Sequence, residues 1–266
     1  MNKRDFLKGM ILFLPAGGAL SGLARDASAQ VRASETARSH APRENPAGKT
    51  YNPEGHYYGM GIEIDKCIGC DQCVEACKEE NGVPRTPLYF RTWIERYVIK
   101  KDTEVVVESI SVHERKLSGP APDYRDVLRS FFVPKLCNQC ANPPCVQVCP
   151  VGATFDAPDG AVLIDPKYCI GCGFCIQACP YGCRFLSPVT KTAEKCTLCY
   201  HRITRGLKPA CVEVCPTQAR IFGDLKHPAP DDPLQQFYQN NLVVALKPHL
   251  GTEPRLFYAG IDKEVR

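Results

Sequence analysis

Beyond residue 23, this chain of 266 residues has no apolar run approaching the roughly 20 residues that a membrane-spanning helix needs. Its formal net charge is only +4, so it lacks the concentrated positive field that draws a protein to nucleic acid. No G-x-G-x-x-G turn is present to hold a dinucleotide, and no nucleophile–base pair points to catalysis by the polypeptide itself. These absences argue against a membrane-spanning body, a nucleic-acid binder and a self-contained enzyme. What the chain does have is cysteine.

Of its 17 cysteines, all but Cys183 fall into four groups of four. Cys67, Cys70, Cys73 and Cys77 form the first group, and Cys137, Cys140, Cys145 and Cys149 the second. Cys169, Cys172, Cys175 and Cys179 form the third, and Cys196, Cys199, Cys211 and Cys215 the fourth. Groups one and three have the C-x2-C-x2-C-x3-C spacing that wraps thiolates around iron–sulfur cubes in bacterial ferredoxins, and group three adds the proline, Pro180, that completes the run. Groups two and four also close on C-x3-C-P, at Cys149-Pro150 and Cys215-Pro216.

Two other uses of cysteine fit less well. Disulfide scaffolds are short, whereas this chain is long, and a proline after the fourth cysteine has no role in a disulfide. Zinc takes two C-x2-C pairs and has no use for three cysteines within seven residues. In the triplet groups the fourth cysteine lies about one helical turn on and points away from its own triplet. In two-cluster ferredoxins it binds the other cluster. Cys183, outside every group, reads as a small buried apolar residue, the usual state of a free cysteine.

Residues 1–29 read as an export signal: a charged start with Lys3-Arg4, a weakly apolar stretch over 10–23, and the Ala27-Ser28-Ala29 cleavage pattern. The start resembles a twin-arginine signal with Lys3 in place of the first arginine. Residues 30–56, polar and rich in Ala, Arg, Pro and Ser, read as an extended linker. The body is internally repeated. Ile62-Glu63-Ile64-Asp65-Lys66-Cys67-Ile68-Gly69-Cys70 parallels Val162-Leu163-Ile164-Asp165-Pro166-Lys167-Tyr168-Cys169-Ile170-Gly171-Cys172, and Pro144-Cys145-Val146-Gln147-Val148-Cys149-Pro150 parallels Ala210-Cys211-Val212-Glu213-Val214-Cys215-Pro216.

The expected fold is therefore α+β: two duplicated ferredoxin-like modules over 57–225, an antiparallel β subdomain inserted at 78–136, and an extended C-terminal tail at 226–266. A short strand is expected before groups one and three and a short helix after each fourth cysteine. Gly69 and Gly171 let the backbone curl round a cube, with Ile68 and Ile170 covering it from water. Two β-rich runs, 89–99 and 103–112, predict a hairpin that is either a packed subdomain or a contact surface. The tail either wraps a neighbour or is solvated coil.

Cys137-Asn138-Gln139-Cys140-Ala141-Asn142-Pro143-Pro144-Cys145, Lys195-Cys196-Thr197-Leu198-Cys199, Pro209-Ala210-Cys211 and Phe222-Gly223-Asp224-Leu225 carry a more specific likeness. Over residues 57–225 the chain resembles the iron–sulfur (beta) electron-transfer subunits of dimethyl sulfoxide, polysulfide and tetrathionate reductases and of related nitrite- and sulfite-reducing complexes. The resemblance implies four 4Fe–4S clusters with crossed ligands. Cluster 1 would use Cys67, Cys70, Cys73 and Cys215, and cluster 2 Cys196, Cys199, Cys211 and Cys77. Cluster 3 would use Cys137, Cys140, Cys145 and Cys179, and cluster 4 Cys169, Cys172, Cys175 and Cys149. It also implies two partners: a polytopic quinone-reactive membrane subunit, and a molybdopterin catalytic subunit or a multihaem cytochrome c. The chain would then be a non-catalytic subunit, periplasmic and membrane-associated only through its partner. The alternative is a free periplasmic ferredoxin-like carrier that docks transiently. Lys66, Lys195, Arg184 and His201 flank the ligand loops and are candidates for tuning nearby potentials.

Overall fold

The computed structural model describes residues 50–85, 88–109, 124–229 and 231–265. The signal-like segment, most of the linker and the middle of the insertion lie outside the described residues.

Strand Tyr58–Glu63 runs through the middle of a four-stranded sheet. It pairs antiparallel with Arg220–Asp224, with Met60 opposite Phe222, and parallel with Leu256–Ala259, with Met60 opposite Leu256. Val243–Val244 closes the outer edge beside Leu256–Ala259. Because both faces are covered, Tyr58 through Ile62 are all buried, in place of the alternation expected of a half-exposed strand. Met60 and Ile62 project to one face, into the main core with Ile94, Tyr97, Val133, Leu136, Leu256 and Tyr258.

The other face is nearly flat at Gly59 and Gly61, and there the helix Pro233–Asn240 lies against it. Pro233 occupies the first turn, and the Asp232 carboxylate caps it, accepting from the backbone of Leu234 at 2.8 Å and of Gln235 at 3.2 Å. A Cβ on Gly61 would stand 2.7 Å from the Phe237 ring. Gly61→Ala is therefore expected to destabilise the fold by about 1–3 kcal/mol through overpacking, read as a lower midpoint in thermal unfolding.

Residues 226–266 are thus not an extended tail. They contribute that helix and two strands, and Leu256 and Tyr258 are among the most buried side chains of the molecule. The last residues of the supposed linker are also held. Tyr51 donates to Asp159 and stacks on His56, which stacks in turn on Tyr58.

The insertion forms a three-stranded antiparallel sheet in which Thr92–Lys100 is central, flanked by Val105–Ser109 and Val127–Leu136. The third strand, absent from the sequence expectation, places Phe131 opposite Tyr97 and delivers the chain directly to Cys137. Two smaller hairpins complete the described sheets: Thr154–Asp156 with Val162–Ile164, and Phe185–Leu186 with Ala193–Glu194.

The short helices differ from expectation in position. Pro144–Gln147, Phe174–Gln177 and Ala210–Glu213 each carry the third cysteine of a group and stop before the fourth. The cause is the proline after Cys149, Cys179 and Cys215, which disfavours helical backbone in the residue before it. Group one has Lys78 at that place, and its helix, Gln72–Asn81, continues through Cys77.

Candidate metal centres

Each group opens with C-x2-C, and in each the residue just before the second cysteine adopts a left-handed backbone. The φ angles are 67° at Gly69, 47° at Gln139, 71° at Gly171 and 56° at Leu198. This curl brings successive N–H groups round toward the first thiol of the pair, and the backbone of Leu198 donates to Cys196 Sγ at 3.4 Å. At Gly171 a side chain is excluded outright, since a Cβ would lie 2.5 Å from the carbonyl oxygen of Lys191. Gln139 and Leu198 meet the same demand without being glycine, and packing holds them there. The buried Gln139 amide donates to the Cys196 carbonyl at 2.9 Å and accepts from the backbone of Val162 at 2.8 Å. Leu198 is fully enclosed. Inspection for glycine alone misses these two positions; their common place in C-x2-C is the signal that finds them.

The thiols assemble across the groups. Cys77, Cys196, Cys199 and Cys211 line one small cavity. The Asn81 amide touches two of them, at 3.7 Å from Cys77 Sγ and 3.6 Å from Cys199 Sγ. Cys137, Cys140, Cys145 and Cys179 line a second small cavity. Cys215 lies within electrostatic reach of Cys67 and Cys73, and Cys70 within reach of Cys73. For Cys149 and Cys169 the structure places backbone donors, Thr154 at 3.4 Å and Ala193 at 3.3 Å, one on each small hairpin. The helices carrying Cys145 and Cys175 pack together. Neighbouring sets adjoin: Cys211 is within electrostatic reach of Cys73, and Cys196 within electrostatic reach of Cys137.

Burial dominates the electrostatics. It pushes Cys211 and Cys140 up to about 12 and Cys196 up to about 11, and the neighbouring thiols push the same way. Such thiols hold their protons until a metal's positive charge replaces them. Cys179 moves the other way, to about 5, chiefly because the Cys183 thiol donates to it. Cys183 is buried, and its sulfur also lies 3.0 Å from the Leu136 carbonyl. At the two ends of the series Cys70 and Cys172 are exposed. Ile68 and Ile170, expected to shield the metal, instead stand 59% and 66% exposed.

The donor chemistry fits iron–sulfur cubes: sulfur ligands from separate segments surround a common cavity, with backbone N–H groups directed at sulfur. Among the described residues no three His, Cys, Asp or Glu side chains converge tightly enough to hold a single ion.

Two family models match, both described as 4Fe-4S dicluster domains, over residues 66–153 and 128–225. Tetrathionate reductase B of Salmonella typhimurium is 39% identical over 207 residues, covering 78% of this chain and 74% of the relative. The protein belongs to the family of iron–sulfur reductase subunits. A further member of this iron–sulfur subunit family, protein NrfC of Escherichia coli, is 40% identical and covers 79% of this chain and 83% of its own. Polysulfide reductase B of Wolinella succinogenes is 35% identical, with 75% and 92% covered. With its two dicluster domains, the present chain is an iron–sulfur electron-transfer subunit of this family.

Proposed function

We propose that the subunit holds four 4Fe–4S clusters in a line and passes single electrons between two partners of a respiratory complex. Cluster 1 is assigned to Cys67, Cys70, Cys73 and Cys215, and cluster 2 to Cys196, Cys199, Cys211 and Cys77. Cluster 3 is assigned to Cys137, Cys140, Cys145 and Cys179, and cluster 4 to Cys169, Cys172, Cys175 and Cys149. When bound, such clusters take up and release one electron each. The polypeptide supplies spacing, burial and hydrogen bonds to sulfur.

The observation that carries this reading is the order of the thiol sets. Cys73 lies within electrostatic reach of Cys211, and Cys196 of Cys137; the helices carrying Cys145 and Cys175 pack together, and the series begins at exposed Cys70 and ends at exposed Cys172. Exposed Ile68 flanks one end, and exposed Tyr168, Ile170 and Phe174 flank the other. A path open at both ends and buried between them suits a relay between two docked partners.

In the complete assembly those partners are a polytopic quinone-reactive membrane subunit and either a molybdopterin catalytic subunit or a multihaem cytochrome c. The assembly would lie on the periplasmic face, reached by way of the signal at residues 1–29. No helix among the described residues is long and apolar enough to cross a membrane, so attachment falls to the partner. Co-purification tests this: the subunit is expected to elute from detergent-solubilised membranes together with a polytopic subunit. Recovery of all the protein in the soluble periplasm, unpartnered, would favour the free carrier.

A further inference from the structure

We propose that three buried cations, Arg220, Lys195 and Arg184, occupy the three gaps between successive clusters, and that each raises the reduction potential of both clusters it separates. The proposal rests on the four-cluster assignment above.

Arg220 lies five residues beyond Cys215 and is almost fully buried. Its Nη2 donates to Thr92 Oγ1 at 2.8 Å, while Nη1 is buried with no hydrogen-bond partner among the described residues. Its charge acts on Cys67 and Cys73 of the first set and on Cys211 of the second. Arg184 lies five residues beyond Cys179, and its guanidinium likewise meets a threonine, Thr154, at 3.3 Å. Its Nη2 donates to Cys145 Sγ at 2.9 Å, and its charge reaches Cys137 of the third set and Cys175 of the fourth. Lys195 is 1% exposed. Its ammonium donates to the carbonyls of Val162 and Cys196 and acts on Cys196 of the second set and on Cys137 and Cys145 of the third.

Several other basic groups in this region pair with carboxylates. Arg91 pairs with Glu194 at 3.2 Å, Lys135 with Glu95 at 3.6 Å and Arg202 with Glu80 at 2.8 Å. Lys66 and His201 pair at the surface with Glu63 and Glu80. Arg255 is also buried and makes no ion pair among the described residues, but it donates to the carbonyls of Gln139 and Cys140 and its charge reaches Cys140 and Cys137, both of the third set, so it lies beside one set and not between two. Arg220, Lys195 and Arg184 have no carboxylate partner among the described residues. A buried cation without an anion is costly. The anions these three meet are cysteine thiolates.

Adding an electron makes a cluster more negative. Burial penalises that state, and a nearby cation stabilises it. Of the eight thiols of the inner sets, Cys77, Cys140, Cys145, Cys196, Cys199 and Cys211 are buried and Cys137 and Cys179 half-buried, whereas each outer set has one exposed thiol. Each inner set borders two of the cations and each outer set one. The added charge therefore falls where burial is deepest, offsetting its penalty and keeping the middle of the path reducible.

Redox titration of the full complex, followed by EPR with signals assigned from single Cys→Ser variants, tests this. Lys195→Met is expected to lower the potentials of clusters 2 and 3, Arg184→Met those of 3 and 4, and Arg220→Met those of 1 and 2. Each shift should reach at least tenfold in the reduction equilibrium, about 59 mV for one electron. Iron content should be unchanged, and Arg184→Lys and Arg220→Lys should restore most of the potential. Unmoved potentials at full iron content would overturn the proposal. So would loss of iron from all three neutral variants, which would make the cations purely structural. A wild-type titration with fewer than four clusters would instead overturn the assignment beneath it.

Discussion

Cys77→Ser is expected to abolish or convert the cluster built on Cys196, Cys199 and Cys211 while the EPR signal of the Cys67, Cys70 and Cys73 cluster survives. Cys77 is only four residues from Cys73, so adjacency in sequence argues the opposite. The helix Gln72–Asn81 supports the crossed arrangement. Cys77 falls one turn beyond Cys73, is buried, and lines the cavity shared with Cys196, Cys199 and Cys211. The amide of Asn81, a further turn on, bridges the sulfurs of Cys77 and Cys199. Loss of one cube in four would remove about a quarter of the bound iron. An EPR spectrum in which only the Cys67–Cys70–Cys73 signal changed would contradict the crossed arrangement.

Tyr258→Ala is expected to destabilise the protein by about 3–5 kcal/mol, the range for emptying a buried aromatic site, and to lower its thermal midpoint accordingly. Tyr258 is fully buried on a strand paired with Tyr58–Glu63, and its hydroxyl donates to the Pro134 carbonyl at 3.0 Å, in the last strand of the insertion. One side chain thus ties the C-terminal segment, the strand before group one and the insertion into a single core. The neighbouring exposed Val244 provides the control: Val244→Ala should change stability by less than about 0.5 kcal/mol. A Tyr258→Ala loss as small as that of the control would mean that the C-terminal strand contributes little to the core.

The cysteine chemistry was legible because metal ligation constrains residue type and spacing together. Gly69 and Gly171 were legible for a related reason: only glycine adopts that backbone freely. Gln139 and Leu198 were not, since tertiary packing holds them in the same curl. The C-terminal strand was hidden behind a Pro- and Asp-rich stretch whose composition signals coil, while the buried alternation Leu256 and Tyr258 occupies only four residues. The strand Val127–Leu136 was masked by Arg129, Ser130 and Pro134. Among the flanking cations, sequence could not separate Lys195 and Arg184, which the fold buries, from Lys66 and His201, which it leaves paired at the surface. Arg220 went unnoticed because it lies beyond the ligand run, on a strand that returns it to the gap.

The most direct test of the account is an EPR-monitored redox titration of the purified subunit, combined with iron and acid-labile sulfide analysis. Four cubes require about sixteen iron and sixteen sulfide per chain, and four separable one-electron steps are expected. Colourless protein containing zinc, or a titration that resolves fewer than four steps at full metal loading, would contradict it.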